Sequence, residues 1–223
     1  MPNWTEQQLH VVGRKADIDR FLRVGYTPRR KGALDALLHF DALCPKPSPA
    51  ARGAEIENGV ALMHWRTTNQ ACFDLITAWD YPAWFYESLA AEWPTLSFCC
   101  SVSGEMGDFG GLVIRVHGEF LDQVCVFDGD YDRRAHLRAA KSSLKRWMAF
   151  LTRDRDWRLM PHRAWDLGAA RADAHFDGNF WFYFRSREAM ADFRARYRCS
   201  QPERRVDGVW KRTRLPGRPS ETR

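Results

Sequence analysis

Residues 72–103 read CFDLITAWDYPAWFYESLAAEWPTLSFCCSVS, and this stretch carries the clearest secondary-structure pattern of the sequence. Its first eight residues alternate between two faces, as the side chains of a strand do. Pro82 is a favoured first-turn residue, and it predicts a helix that ends at Trp93, before Pro94. Residues 96–103 are again apolar and predict a second strand. The stretch therefore predicts a strand, a helix and a strand.

The flanking sequence extends this pattern in both directions. Residues 4–12 (WTEQQLHVV) predict a strand, and a short helix capped by Asp17 follows. Residues 61–65 predict a further short strand, and residues 112–127 predict a hairpin. The resulting order of strand, helix, strand, strand, helix, strand is typical of the ferredoxin-like split βαβ arrangement. We therefore predict an α+β fold, with an antiparallel sheet that carries two helices on one face.

The C-terminal part has a different character. Residues 133–151 predict a long helix with an apolar side formed by Leu137, Leu144, Trp147, Met148 and Leu151.

An aromatic strand is predicted at 178–184, and Ser186 with Glu188 opens another helix. We therefore divide the chain into a ferredoxin-like domain at 1–127, a helical and βα extension at 128–200, and a basic, partly disordered tail at 201–223.

The composition is that of a globular protein. The chain has 223 residues, of which 45% are hydrophobic and 28% are charged. It contains no run of about 18 apolar residues, so no membrane-spanning helix is expected. The start MPNWTEQQLH lacks the basic and apolar segments of a signal peptide. We expect the protein to act in the cytoplasm.

The six cysteines form no C-x-x-C pair, and neither they nor the seven histidines show zinc-ligand spacing. Buried free thiols in a reducing compartment are the expected state. We predict no metal and no other cofactor.

The net charge of +6 is distributed unevenly. Residues 185–223 hold 12 Lys and Arg against 5 Asp and Glu, whereas residues 1–184 hold 22 against 23. A second basic segment runs from Arg133 to Arg158 and contains only two acidic residues, Asp154 and Asp156. Positive segments of this kind attract nucleic acid or an acidic partner, although a solvated helix face would give the same count. The candidate nucleic-acid-binding residues are Arg133, Arg134, Arg138, Lys141, Lys145, Arg146, Arg204, Arg205, Lys211 and Arg212.

Four short segments occur in an order that resembles a known family. They are MPNW at the start, FDALCPKP at 40–47, the run from Trp65 through ITAWDYP to the helix before Pro94, and LSF followed by FGG at 109–111. This order resembles the YubB-type ferredoxin-like domain family of plasmid and bacteriophage proteins, over about residues 1–120. The resemblance implies a ferredoxin-like fold and residence on a mobile genetic element. It implies no established reaction and no catalytic residue.

Two further motifs bear on possible chemistry. Removal of Met1 would make Pro2 a secondary amine, which resembles the N-terminal general base of tautomerase-type enzymes. The glycine-rich GEMGDFGG at 104–111 precedes a strand rather than a helix, so it predicts a turn and not a phosphate cradle.

The leading hypothesis is a non-enzymatic binding or interaction module that contacts a protein or nucleic acid. The alternative is a small-molecule enzyme that uses Pro2, and a purely structural role is the third possibility.

Overall fold

The computed structural model describes residues 4–27, 37–44, 60–78, 81–106, 109–116, 119–122, 125–126, 133–161, 174–176 and 181–213. The chain divides into two compact units, Met1–Phe150 and Leu151–Arg223. Each unit is built around an antiparallel sheet with helices, so the predicted α+β class is confirmed. None of the described helices is long and apolar enough to cross a bilayer.

The N-terminal unit contains most of the strands. In chain order its elements are β1 (Trp4–Val12), α1 (Lys15–Gly25), β2 (Tyr26–Thr27), β3 (Leu37–Leu38), α2 (Phe40–Leu43), β4 (Val60–Arg66), β5 (Gln70–Ala78), α3 (Ala83–Glu92), β6 (Ser97–Gly104), β7 (Phe109–Val116), β8 (Glu119–Asp122), β9 (Cys125–Val126) and α4 (Arg133–Thr152), whose last two residues belong to the second unit.

The main sheet has the strand order β4-β5-β1-β6-β7-β8, and β9 pairs with the beginning of β7. All these pairs are antiparallel, and β2 and β3 form a separate two-stranded sheet. The register places Leu9 of β1 opposite Phe73 of β5 and Cys100 of β6. Because side chains alternate along each strand, this register separates an apolar face from a more polar one.

The apolar face is covered by α1, α2 and α3. Phe21 of α1 is fully buried, and its ring centroid lies 6.1 Å from that of Phe73 and 5.3 Å from that of Trp93. Phe40 of α2 packs edge-on against Phe85 of α3 at 4.4 Å. Burying a side chain of this size contributes about 1.5–3 kcal/mol. These aromatic contacts hold the helices on the sheet.

A glycine allows α1 and α2 to approach closely. A Cβ atom added to Gly25 would lie 2.2 Å from Cγ of Leu43, which is buried. The indole nitrogen of Trp93 donates a hydrogen bond to the Leu43 carbonyl oxygen at 2.8 Å. The segment 37–44, an apolar run in the sequence, is thereby fixed under α3.

A buried chain of hydrogen bonds crosses this core between the sheet and α3. Cys100 Sγ donates to the Tyr86 hydroxyl at 3.2 Å, which donates to Gln7 Oε1 at 2.6 Å. Gln7 Nε2 in turn donates to Thr77 Oγ1 at 2.7 Å. Each of these four buried side chains has a hydrogen-bond partner, which avoids the cost of an unsatisfied donor or acceptor.

The opposite face of the sheet carries α4 at one end. The Trp147 ring meets the His10 ring edge-on, with centroids 5.5 Å apart, and both side chains are buried. The predicted apolar side of this helix needs one correction, because Leu144 is 42% exposed. Ser143 is buried instead, so residues 143 and 147 form the packed line. Their spacing of four places them on one side of the helix.

The glycine-rich segment 104–111 is also corrected in part. Phe109, Gly110 and Gly111 belong to β7, and Gly111 pairs with Val102 of β6. Only the middle of the segment connects the two strands.

The C-terminal unit contains β10 (Trp157–Leu159), β11 (His175–Phe176), β12 (Phe182–Phe184), α5 (Arg187–Arg196), β13 (Glu203–Val206) and β14 (Val209–Arg212). Its strands are ordered β11-β12-β10-β13-β14.

Helix α5 lies on one face of this second sheet. Phe193 packs between Phe182 and Phe184, with ring centroids 4.9 and 5.3 Å apart. Ser186 caps the helix as predicted, because its hydroxyl accepts a hydrogen bond from Ala189 N at 3.1 Å. An acceptor at this position satisfies one of the free N–H groups of the first turn.

Residues 203–212, which the sequence assigned to a partly disordered tail, form a β-hairpin instead. The turn is made by Asp207 and Gly208, whose φ angles are 53° and 76°. Two adjacent residues with positive φ are the signature of a tight hairpin turn, and the Asp-Gly pair favours it. The remainder of the predicted tail, residues 214–223, lies outside the described residues.

Candidate nucleic-acid interface

The structure separates the candidate basic residues into two groups. Lys141, Lys145 and Arg146 are exposed on α4 in the N-terminal unit. Arg133, Arg134 and Arg138 lie on the same helix, and their side chains fall outside the described part. The remaining four basic residues lie on the β13–β14 hairpin of the C-terminal unit.

Strand pairing divides the four hairpin residues between the two faces of the second sheet. Glu203 pairs with both Arg158 and Arg212, and Arg205 pairs with Trp210. Since side chains alternate, these residues share the face opposite α5, which we call the aromatic–arginine face. Arg204 and Lys211 pair with each other on the other face.

An arginine held between two indoles forms the centre of the aromatic–arginine face. The guanidinium carbon of Arg158 lies 4.1 Å from the ring centroid of Trp181 and 4.6 Å from that of Trp210. Both contacts fall within cation–π range. Tyr183 is buried beside them, with its ring centroid 5.7 Å from that of Trp210.

Hydrogen bonds fix this arginine in place. Arg158 donates from Nε at 2.8 Å and from Nη2 at 2.6 Å to Glu203 Oε2. Both side chains are largely buried, with 20% and 15% exposed. A charge-assisted pair of this kind holds its geometry better than an exposed one. The ion pair with Glu203 therefore fixes the position of Arg158 between the two tryptophan rings.

Further positive charge lies at the margin of the same face. The Arg205 guanidinium carbon is 5.6 Å from the Trp210 ring centroid. Its Nη2 donates to the Arg153 carbonyl oxygen at 2.9 Å and lies 3.5 Å from the carboxylate of Asp156, which is 61% exposed. Arg212 is exposed on the edge strand. Half-buried aromatic rings beside arginines are the combination that single-stranded nucleic acid binds, through base stacking and phosphate contacts.

Sequence reasoning missed the aromatic part of this site. Neither β10 nor the hairpin was predicted as a strand, so Arg158, Trp181 and Trp210 could not be placed together. The available signal was the Asp207-Gly208 pair between two short alternating segments.

The exposed face of the first sheet has the opposite character. A shallow cavity of about 360 Å³, which we call the acidic cup, lies on this face. It is lined by Glu6 and Gln8 of β1, Asp74 and Ile76 of β5, and Ser101 and Ser103 of β6. None of the described residues that line it is basic. The Asp74 carboxylate accepts a hydrogen bond from Gln8 Nε2 at 3.1 Å. This acidic cup repels phosphate, so the sheet face of the N-terminal unit is the poorer candidate for nucleic acid.

Buried cysteines flank His10 at the α4 end of the same face. Cys72 and Cys99 lie directly opposite His10 on the two neighbouring strands. Burial raises the pKa of both thiols well above the ordinary value, and it raises that of Cys100 to about 12. A thiol that stays protonated is a poor nucleophile. Across the described ranges, no group of His, Cys, Asp and Glu residues is arranged to hold a metal ion.

One sequence candidate, Pro2, lies outside the residues that the structure describes. The Pro2 hypothesis stays a prediction.

Comparison with known proteins adds no relative. No family model, no curated protein and no solved structure matches the chain. The resemblance to the YubB-type family therefore stays a prediction from short motifs.

Proposed function

We propose that the protein is a non-enzymatic binding module whose C-terminal unit binds single-stranded nucleic acid. The main support for this proposal is the position of the Arg158 guanidinium between Trp181 and Trp210. Its carbon lies 4.1 and 4.6 Å from the two ring centroids. Arg158 covers one face of each ring, so a base stacks on the outer face or edge. Phosphates are then met by Arg205 and Arg212.

The distribution of charge supports this proposal. Residues 151–223 carry 17 Lys and Arg against 10 Asp and Glu, whereas residues 1–150 carry 17 against 18. The positive charge of the protein therefore belongs to the unit that holds the aromatic–arginine face. Such a field attracts a polyanion and orients it before contact.

The proposal also includes the fold type of the N-terminal unit, the genetic origin of the protein and its cellular location. We propose that this unit is ferredoxin-like, on the ground that its strands follow the order β4-β5-β1-β6 with α1 and α3 on one face. Origin on a plasmid or phage rests on the sequence motifs alone. Action in the cytoplasm is supported by five free cysteines among the described residues.

The test is fluorescence anisotropy with a labelled single strand of about 16 nucleotides, a length that spans the site sizes of such proteins. The protein is expected to bind at about 50 mM NaCl and to lose affinity as the salt concentration rises. For single strands, the logarithmic slope is about −0.7 per neutralised phosphate. Trp210→Ala is expected to weaken binding about five- to 150-fold, the equivalent of roughly 1–3 kcal/mol per stacked base.

Matched variants separate stacking from charge. Trp210→Phe keeps an aromatic ring and is expected to retain most of the affinity, whereas Arg205→Gln with Arg212→Gln reduces the salt slope. Arg187→Gln removes an exposed charge from α5 and serves as the control. The proposal is overturned by absence of binding at low salt, or by equal affinities for the wild type and Trp210→Ala.

A further inference from the structure

The acidic cup on the first sheet combines charge with an exposed apolar side chain. Ile76 is 40% exposed and lies two residues before the end of β5. Glu6 stands directly opposite it on β1, and Asp74 lies two residues away on the same face of β5. The register thus places two carboxylates around one isoleucine, in a cavity of about 360 Å³.

The hairpin of the C-terminal unit carries the complementary arrangement on its second face. Val209 is 59% exposed at the start of β14, and Lys211 follows it on the same face. Arg204 is exposed directly opposite Lys211 on β13. An exposed valine beside two cations matches an exposed isoleucine beside two carboxylates in both polarity and charge.

This second face is not the aromatic–arginine face. Arg204 and Lys211 point away from Trp210, Arg205 and Arg212, because side chains alternate along the two strands. A contact through Val209 and Lys211 therefore leaves the rings of the proposed nucleic-acid site accessible.

We infer that the acidic cup is an interaction site for the β13–β14 hairpin of a second copy of the chain. Val209 packs on Ile76, while Lys211 and Arg204 meet Glu6 and Asp74. The two surfaces differ, so the contact is head-to-tail, and such contacts generate rings or open chains of molecules.

The inference is independent of the proposed function, because its test is made without nucleic acid. Sedimentation velocity over a wide range of protein concentration measures self-association at about 50 mM and 500 mM NaCl. Concentration-dependent association at the lower salt, lost at the higher one, is the expected result. A single monomeric species at low salt and high concentration overturns the inference.

Charge reversal tests the two surfaces separately. Glu6→Lys and Lys211→Glu each place like charges at the contact and are expected to raise the dissociation constant about tenfold or more. The double variant exchanges the two signs and is expected to restore association, as is a mixture of the two single variants. Single variants that associate as the wild type does would overturn the pairing. So would a loss of association in the single variants that neither the double variant nor the mixture restores.

A control on the same strand separates the two hairpin faces. Arg212→Glu is expected to leave self-association unchanged while it weakens binding of the single strand. Loss of self-association in Arg212→Glu that equals the loss in Lys211→Glu would assign the effect to general charge and contradict the proposed contact.

Discussion

His10 shows how one buried side chain couples stability to pH. Trp147 covers its ring, and Gln70 Nε2 lies 3.2 Å from its Nε2. The amide nitrogen can only donate, so His10 Nε2 accepts and the ring is neutral. Burial lowers the pKa of His10 from 6.5 to about 3.

This shift predicts loss of stability in acid. Below pH 6.5 His10 is protonated in the unfolded chain. In the folded protein it stays neutral until the pH falls to about 3. The stabilisation is therefore complete above pH 6.5 and is lost as the pH falls, by at most about 1.4 kcal/mol per pH unit. Urea denaturation at several pH values in this range gives the free energy of unfolding as a function of pH. The slope of this free energy against pH is expected to be smaller in His10→Gln than in the wild type.

The exposed His39 supplies the control for this measurement. His39→Gln is expected to retain the wild-type slope, because His39 lies at the surface. An unchanged slope in His10→Gln would show that His10 is not the group that couples folding to pH.

Among the elements, the β13–β14 hairpin is the one on which both proposed interactions depend. Its turn uses a left-handed Asp207 and a Gly208 at φ 76°. A side chain at such a φ angle costs about 1–2 kcal/mol. Gly208→Ala is therefore expected to loosen the hairpin, and hydrogen exchange should become faster at the paired amides of residues 203–212.

Asp207→Asn is the matched control, because Asn adopts the left-handed conformation readily. It is expected to leave exchange unchanged. Faster exchange in Gly208→Ala throughout both units, rather than in the hairpin, would contradict a local role of the turn.

For the whole molecule, electrostatics is expected to act on binding more than on folding. Several ion pairs are exposed on at least one side, such as Arg14–Asp17, where the arginine side chain is 79% exposed. Exposed pairs contribute about 0–1 kcal/mol each, and the cores of both units are apolar. Raising NaCl from about 50 to 500 mM should therefore shift the thermal midpoint by less than about 4 °C.

The same change in salt should remove most of the affinity for a single strand. Differential scanning fluorimetry and anisotropy on one protein sample compare the two effects. A thermal midpoint that changes by far more than about 4 °C, while the affinity stays constant, would show that electrostatics acts on folding more than on binding.

The α+β class and many of the individual elements could be predicted from the amino-acid sequence. The strand at 4–12, the helix before Pro94 and the Ser186 cap were predictable, because periodicity, proline and capping act over a few residues. The uneven charge between the two parts of the chain was equally visible.

Which side chains come into contact depends on the long-range folding of the chain and could not be predicted. Arg158, Trp181 and Trp210 lie far apart in the sequence and come together through the pairing of short strands that carry little periodic signal. The register also divided four neighbouring basic residues between two faces, and it placed Glu6 beside Asp74 and Ile76. A shift of one residue along any of these strands would turn every side chain to the other face, so the site depends on long-range pairing.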